Sequence, residues 1–84
     1  MKVEMYSKDN CPWCDQALKL LQSVNVNPRV YKYNVDFSKE DLIEIIGPDK
    51  PVTVPQVIIN GKLVGGFDDL KTYLQDNGIF GLQT

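Results

Sequence analysis

Four short stretches of the chain have the hydrophobic pattern of β-strands. Residues 2–7 alternate between apolar and polar positions, and residues 29–35 alternate and are rich in β-branched and aromatic side chains. Residues 55–60 form a nearly continuous apolar run, which predicts a central strand that is covered on both faces. Asn60-Gly61 then indicates a two-residue hairpin turn, so residues 62–64 are predicted to form an antiparallel fourth strand.

Three other stretches have apolar positions at helical spacing. The first runs from Pro12, which suits the first position of a helix, to about residue 24. The second is expected to begin after Ser38 as N-cap and to end at Gly47, and the third covers residues 67–76. The tail, residues 78–84, holds three apolar side chains and is expected to fold back onto the core.

The order of these elements predicts an α/β fold that forms one domain over residues 1–84. The strand–helix–strand unit at the start is expected to be a right-handed parallel crossover, whereas the hairpin makes its two strands antiparallel. We therefore predict a four-stranded mixed sheet with three helices packed on both of its faces.

Charge and hydropathy exclude several classes of partner. The formal net charge is −2 and the sequence pI is about 4.8, and no basic stripe is present that would neutralise phosphates, so nucleic acid is not an expected partner. No run approaches the roughly 18 apolar residues that a membrane span needs. Charges at Lys2 and Glu4 interrupt the apolar start of the chain, so no signal peptide is predicted and a cytoplasmic location is expected.

The two cysteines, Cys11 and Cys14, carry the clearest chemical signal. A bridge between residues three apart closes a tiny loop and adds little stability, so a structural disulfide is a poor explanation. A mononuclear zinc site needs about four ligands, but the chain has two thiols and no histidine, and no metal is expected. The position of the pair between a strand and a helix instead favours redox chemistry.

The helix N-terminus explains why this chemistry suits Cys11. Unpaired backbone N–H groups and the helix dipole favour an anion there, and cysteine thiols at such positions have pKa values of about 3.5–7.5 rather than about 8.5. A thiolate of low basicity also leaves a mixed disulfide faster. We therefore expect Cys11 to face solvent as the nucleophile, and Cys14 to lie on the inner side of the helix as the resolving thiol.

Three segments together resemble the glutaredoxin family: residues 6–14, which contain Cys11-Pro12-Trp13-Cys14; Thr53-Val54-Pro55-Gln56; and residues 65–70, which begin Gly65-Gly66-Phe67-Asp68. Trp13 replaces the tyrosine that is usual in the family. The resemblance implies a thioredoxin-like fold, a cis bond before Pro55, and a groove for glutathione that the three segments form together.

The resemblance also implies roles for individual residues. Lys8 is expected to bind the glycine carboxylate of glutathione, and the backbone of Val54 to pair with its cysteinyl residue. Phe67 and Asp68, at the start of the third helix, are expected to bind the γ-glutamyl end. The remaining expected contacts come from Trp13, Thr53, Pro55 and Gly66.

By this resemblance, the chain is expected to be a monomeric dithiol enzyme that reduces protein disulfides and glutathione mixed disulfides, with ribonucleotide reductase as one candidate substrate. One alternative is a thioredoxin-type carrier that a flavoprotein reductase reduces. Lys8 and the segment beginning at Gly65 argue against it, because such a carrier needs no groove for free glutathione. A second alternative is a glutathione-ligated iron–sulfur carrier, which Pro12 disfavours.

Overall fold

The computed structural model describes residues 1–78, so the prediction for the tail lies outside the described residues except at Gly78. It contains four strands and three helices. In chain order these are β1 (Val3–Ser7), α1 (Pro12–Ser23), β2 (Arg29–Lys32), α2 (Lys39–Ile46), β3 (Gln56–Ile59), β4 (Lys62–Gly65) and α3 (Phe67–Asp76).

The sheet has the strand order β2-β1-β3-β4, so β1 and β3 are central, as the apolar run of β3 predicted. The β1–β2 pair is parallel, whereas β1–β3 and β3–β4 are antiparallel, which confirms the mixed sheet. Asn60 and Gly61 both have positive φ angles, of 52° and 83°. Asparagine and glycine tolerate this conformation, and the turn therefore joins β3 to β4 where the sequence predicted it.

The second strand is shorter than predicted, because it ends at Lys32 instead of continuing to residue 35. The chain turns after Lys32, whose carbonyl accepts a 2.8 Å hydrogen bond from the Asp36 N–H. Asn34, inside this turn, has a φ of 66° and donates its N–H to the carbonyl of Phe37 over 2.9 Å. The alternation at Tyr33 and Val35 therefore does not reflect a strand, and Val35 is 78% exposed.

One face of the sheet is covered by α1 and α3. The buried side chains of this cluster come from both helices and from the two central strands: Val3, Met5, Ala17, Leu21, Val57, Ile59, Leu70 and Leu74. This cluster fixes the start of α1 and the start of α3 relative to the end of β1 and the start of β3. The three segments singled out in the sequence, residues 6–14, 53–56 and 65–70, lie at these points, and we call them the three chemical segments.

The opposite face of the sheet is covered by α2. Leu42 and Ile46 pack with Phe37, and Tyr6 and Tyr31 from β1 and β2 complete this smaller cluster. Ser38 caps the helix as predicted: its hydroxyl accepts from the Asp41 N–H over 3.2 Å, and the Asp41 carboxylate accepts from the Ser38 N–H over 2.9 Å. The helices thus lie on both faces of the sheet, and none of those in residues 1–78 is long and apolar enough to cross a membrane.

Candidate functional site

The two cysteines lie at the start of α1, where β1 leads into the helix. Cys11 is the N-cap, with extended backbone angles, and Pro12 occupies the first helical position. The Cys11 sulfur accepts a hydrogen bond of 3.2 Å from the Cys14 N–H. Sulfur therefore takes the place that a serine or aspartate oxygen has in an ordinary N-cap, and a negative charge on it would be stabilised by the same donor.

The prediction that Cys11 faces solvent is wrong, because the residue is only 7% exposed. Its sulfur turns inward over the first turn of the helix and lies 4.0 Å from the carbonyl oxygen of Val54. Sequence spacing does not reveal this neighbour, because it comes from a loop 43 residues further on. Cys14 is 4% exposed and lies on the inner side of the helix, as predicted.

Cys11 and Cys14 are joined by a disulfide, so the structure shows the oxidised form of the pair. Their Cα atoms are 5.2 Å apart, a distance that allows a disulfide without movement of the backbone. With both sulfurs in the bond, the approach of the Cys11 sulfur to the Val54 carbonyl is a van der Waals contact.

The second segment, Thr53-Val54-Pro55, forms the loop before β3 and passes directly beside Cys11. The Val54–Pro55 bond is cis, as the resemblance implied. Pro55 is buried, Val54 is half-buried and Thr53 is exposed, so the loop turns its first residue toward solvent.

The third segment brings the N-terminus of α3 to the same place. Gly65 has a φ of 123°, a conformation that side-chain-bearing residues rarely adopt, and a Cβ there would collide with the Asp69 side chain. Gly66 is the N-cap of α3, and its N–H donates to the Asp69 carboxylate over 3.3 Å. A Cβ on Gly66 would lie 3.6 Å from the carbonyl oxygen of Pro55, so α3 begins against the cis-proline loop.

Between these segments lies a groove of about 210 Å³. Seven of the predicted glutathione contacts line it: Trp13, Thr53, Val54, Pro55, Gly66, Phe67 and Asp68. Trp13 is 60% exposed, and its ring centre is 5.3 Å from that of Phe67, so the two rings form one apolar wall. The structure thus brings together residues that lie more than fifty positions apart in the chain.

Lys8 does not line this groove but an adjacent cavity of about 380 Å³, which shares Thr53 and Val54 with it. Lys39 and Tyr33 line the same cavity, and we did not predict either of them as a site residue from the sequence. Lys39 belongs to the first turn of α2, and its sequence position predicts only a solvent-exposed lysine on a helix. Only the packing of α2 on the sheet shows that it shares a cavity with Lys8.

No group of three or more histidine, cysteine, aspartate or glutamate side chains within residues 1–78 is placed to hold a metal ion. A bonded Cys-x-x-Cys pair at a helix start, beside a cis-proline loop on a four-stranded mixed sheet, defines a thiol–disulfide oxidoreductase with the thioredoxin-like fold.

Comparisons with known proteins identify the family. The family model described as Glutaredoxin matches residues 3–64. The protein named Glutaredoxin from Neisseria meningitidis serogroup A is 36% identical over 80 residues, which cover 95% of this chain and 93% of the relative. Glutaredoxin 3 of Escherichia coli K12 is 37% identical over 68 residues, or 81% and 80% of the two chains.

Among solved structures, the buckwheat glutaredoxin–glutathione complex superposes with a TM-score of 0.76 at 22% identity and covers 92% of this chain and 71% of that one. At this identity the likeness concerns the fold, and it agrees with the architecture described above. The chain belongs to the glutaredoxin family and is a thiol–disulfide oxidoreductase.

Proposed function

We propose that this protein is a glutathione-dependent dithiol reductase in which Cys11 is the nucleophile and Cys14 the resolving thiol. The observation that carries the proposal is the position of the Cys11 sulfur. It caps the N-terminus of α1 and touches Val54, which lines the groove where the three chemical segments meet. Membership of the glutaredoxin family supports the choice of thiol.

With a glutathione mixed disulfide, the Cys11 thiolate attacks the glutathione sulfur and breaks the disulfide bond. The other thiol leaves as a thiolate and takes up a proton, and glutathione is now bonded to Cys11. A second glutathione thiolate attacks that bound sulfur, which releases glutathione disulfide and regenerates the Cys11 thiolate. The helix N-terminus stabilises this thiolate as attacking group and as leaving group.

With a protein disulfide, the Cys11 thiolate attacks one sulfur and the other sulfur leaves. The Cys14 thiolate then attacks the Cys11 sulfur, which frees the reduced substrate and forms the Cys11–Cys14 disulfide. Two glutathione molecules reduce this disulfide and become glutathione disulfide. Cys14 is bonded to Cys11 in the oxidised form, so the Cys11 sulfur is within its reach and is its target.

The charges of glutathione match the two ends of the site. In our proposal the glycine carboxylate lies in the cavity of Lys8, and the cysteinyl residue pairs with the backbone of Val54. The γ-glutamyl end lies at the N-terminus of α3. There, backbone N–H groups favour its carboxylate, and Asp68 favours its ammonium group.

The test is a glutathione-coupled turnover assay on a small mixed disulfide and on a protein disulfide. We expect Cys11→Ser to abolish both reactions. Cys14→Ser should retain reduction of the mixed disulfide and lose most reduction of the protein disulfide. Full activity of both variants would show that the assigned roles are wrong, and turnover with thioredoxin reductase but not with glutathione would favour the thioredoxin-type carrier.

We also propose a monomer that works in the cytoplasm, where glutathione is kept reduced, with ribonucleotide reductase among its protein substrates. The compact glutaredoxins that serve that enzyme are the basis for this choice. Sedimentation of the reduced protein tests the monomer, and cell fractionation tests the location. A reductase assay with this protein as the sole electron donor tests the substrate, and an absence of turnover would remove it.

A further inference from the structure

Gln56 is a buried polar residue beside the site that the reaction above does not use. It is the first residue of β3, directly after Pro55, and it is only 6% exposed. A buried amide without partners is costly, so its hydrogen bonds show what holds it there. Both go to one residue: its Nε2 donates to the Thr53 carbonyl oxygen over 3.1 Å and to the Thr53 hydroxyl oxygen over 3.2 Å.

These two bonds determine which way the amide faces. A backbone carbonyl accepts hydrogen bonds and never donates, so the group of Gln56 that faces Thr53 must be its NH₂ and not its oxygen. The Thr53 hydroxyl therefore receives a hydrogen bond from Gln56 and cannot donate back to that nitrogen. Among residues 1–78 it has no protein acceptor within hydrogen-bond distance, so its own proton is available to a ligand.

The position of Thr53 indicates what this ligand group is. Thr53 lines the cavity of Lys8 and Lys39, the groove of Trp13 and Asp68, and a third cavity that Gln56 and Lys50 also line, so it lies where the three meet. No acidic side chain lines the first of these cavities, and two lysines do. A carboxylate that enters it from the groove passes Thr53, the residue that the groove and the cavity share.

We propose that Gln56 is a positioning residue: by donating to the Thr53 hydroxyl oxygen, it orients this hydroxyl to donate its own proton to a carboxylate of the glutathione substrate. The inference rests on the proposed function and deepens it, because it names a determinant of substrate recognition. Its bond to the Thr53 carbonyl holds the peptide unit that leads into Val54, and its bond to the hydroxyl sets the direction of the donated proton.

The experiment compares two substrates on the same protein preparation. One is the mixed disulfide of cysteamine with glutathione, and the other has the glycine carboxylate of glutathione converted to an amide. Reduced protein is mixed with each, and Trp13, the only tryptophan in the chain, reports the reaction by its fluorescence. The concentration dependence of the rate separates apparent affinity from limiting rate. The ratio of the values measured with the acid and with the amide does not depend on how much of the protein is folded.

We expect the wild type to prefer the acid about tenfold, mainly through affinity. Gln56→Met keeps the length of the side chain but cannot donate, and should lower this preference about three- to fivefold with little change in limiting rate. Gln56→Glu gives a second variant that cannot donate as an amide and should lower it as well. Thr53→Ser should keep the preference, and Thr53→Val should lower it.

The double variant Gln56→Met with Thr53→Val completes the test, because Gln56 should have no further effect on the preference once the hydroxyl is gone. An unchanged preference in both Gln56 variants, or a wild type that does not distinguish acid from amide, would overturn the inference while the enzyme still uses glutathione. A wild type that reacts with neither glutathione substrate would instead overturn the proposed function.

Discussion

Trp13 offers a sharp test of the groove, because stability and substrate binding should depend on it to different degrees. It is 60% exposed, lines the groove and packs against Phe67 with ring centres 5.3 Å apart. Trp13→Ala removes this wall and leaves the sulfurs of the active site untouched. We expect a moderate loss of stability together with a clear loss of substrate affinity.

The effect on stability follows from the area that the ring buries. A fully buried aromatic side chain covers about 150–250 Å². Because 60% of Trp13 remains exposed, roughly 40% of this area, about 60–100 Å², is lost in the alanine variant. At about 25 cal/mol per Å², the free energy of unfolding falls by at most about 1.5–2.5 kcal/mol. Each kcal/mol lowers the Tm of a domain of this size by about 4–8 °C.

The effect on binding follows from the exposed part of the ring. If a bound substrate covers on the order of 50 Å² of the indole, its loss costs about 1.3 kcal/mol, or roughly tenfold in affinity. We therefore expect KM for the glutathione mixed disulfide to rise about tenfold, with a smaller change in kcat. Trp13→Tyr, which restores a flat ring, should recover most of the affinity.

The assay is glutathione-coupled turnover, with unfolding by denaturant measured on the same preparations. Val35→Ala is the matched control, because Val35 is an exposed apolar residue, 78% accessible, in the turn after β2 and away from the groove. It should change neither KM nor kcat. A folded Trp13→Ala enzyme with the KM of the wild type would refute the role of Trp13 as a wall of the substrate site.

Three further predictions concern charges. Lys39→Ala should raise KM for glutathione substrates about 1.5- to 5-fold, the size expected for an exposed ion pair, whereas the control Lys19→Ala, on the surface of α1, should not. Hydrogen bonds from Ser38 hold the pKa of Asp41 below 3.8. Their contribution to stability is therefore present above pH 3.8 and is lost as the pH falls through the lowered pKa. In Asp41→Asn, the free energy of unfolding should depend less on pH in this acid range. Burial raises the pKa of Tyr6 above 10.0, so stability should fall as the pH rises from 10 through the raised pKa. Tyr6→Phe should reduce this slope in alkaline unfolding experiments and leave the part contributed by Tyr31, whose pKa is also raised.

The fold could largely be predicted from the sequence, because its signals are local. Ser38 caps α2, Asn60-Gly61 forms the hairpin turn, and Pro12 begins α1, each where the pattern indicated. The end of β2 could not be predicted in this way. Asn34 adopts a positive φ that asparagine tolerates but does not require, and the alternating pattern continues past it.

The site was predictable where a motif marks it and not where packing creates it. The groove contains seven of the predicted contacts, since three recognisable segments supply them. The burial of Cys11 and the place of Lys39 depend on contacts across the fold, with Val54 in one case and with the cavity of Lys8 in the other. No pattern within a few residues of either position reports such contacts.

The order of the strands also has a consequence for aggregation. The two edges of the sheet are β2 and β4, and each has only four residues. Arg29 places a positive charge on one edge, where Lys32 is paired with Asp9 over 2.9 Å, and Lys62 places a positive charge on the other. If two copies paired edge to edge, like charges would face each other along only a few backbone hydrogen bonds. Short, charged edges of this kind disfavour the strand addition by which cross-β aggregates grow.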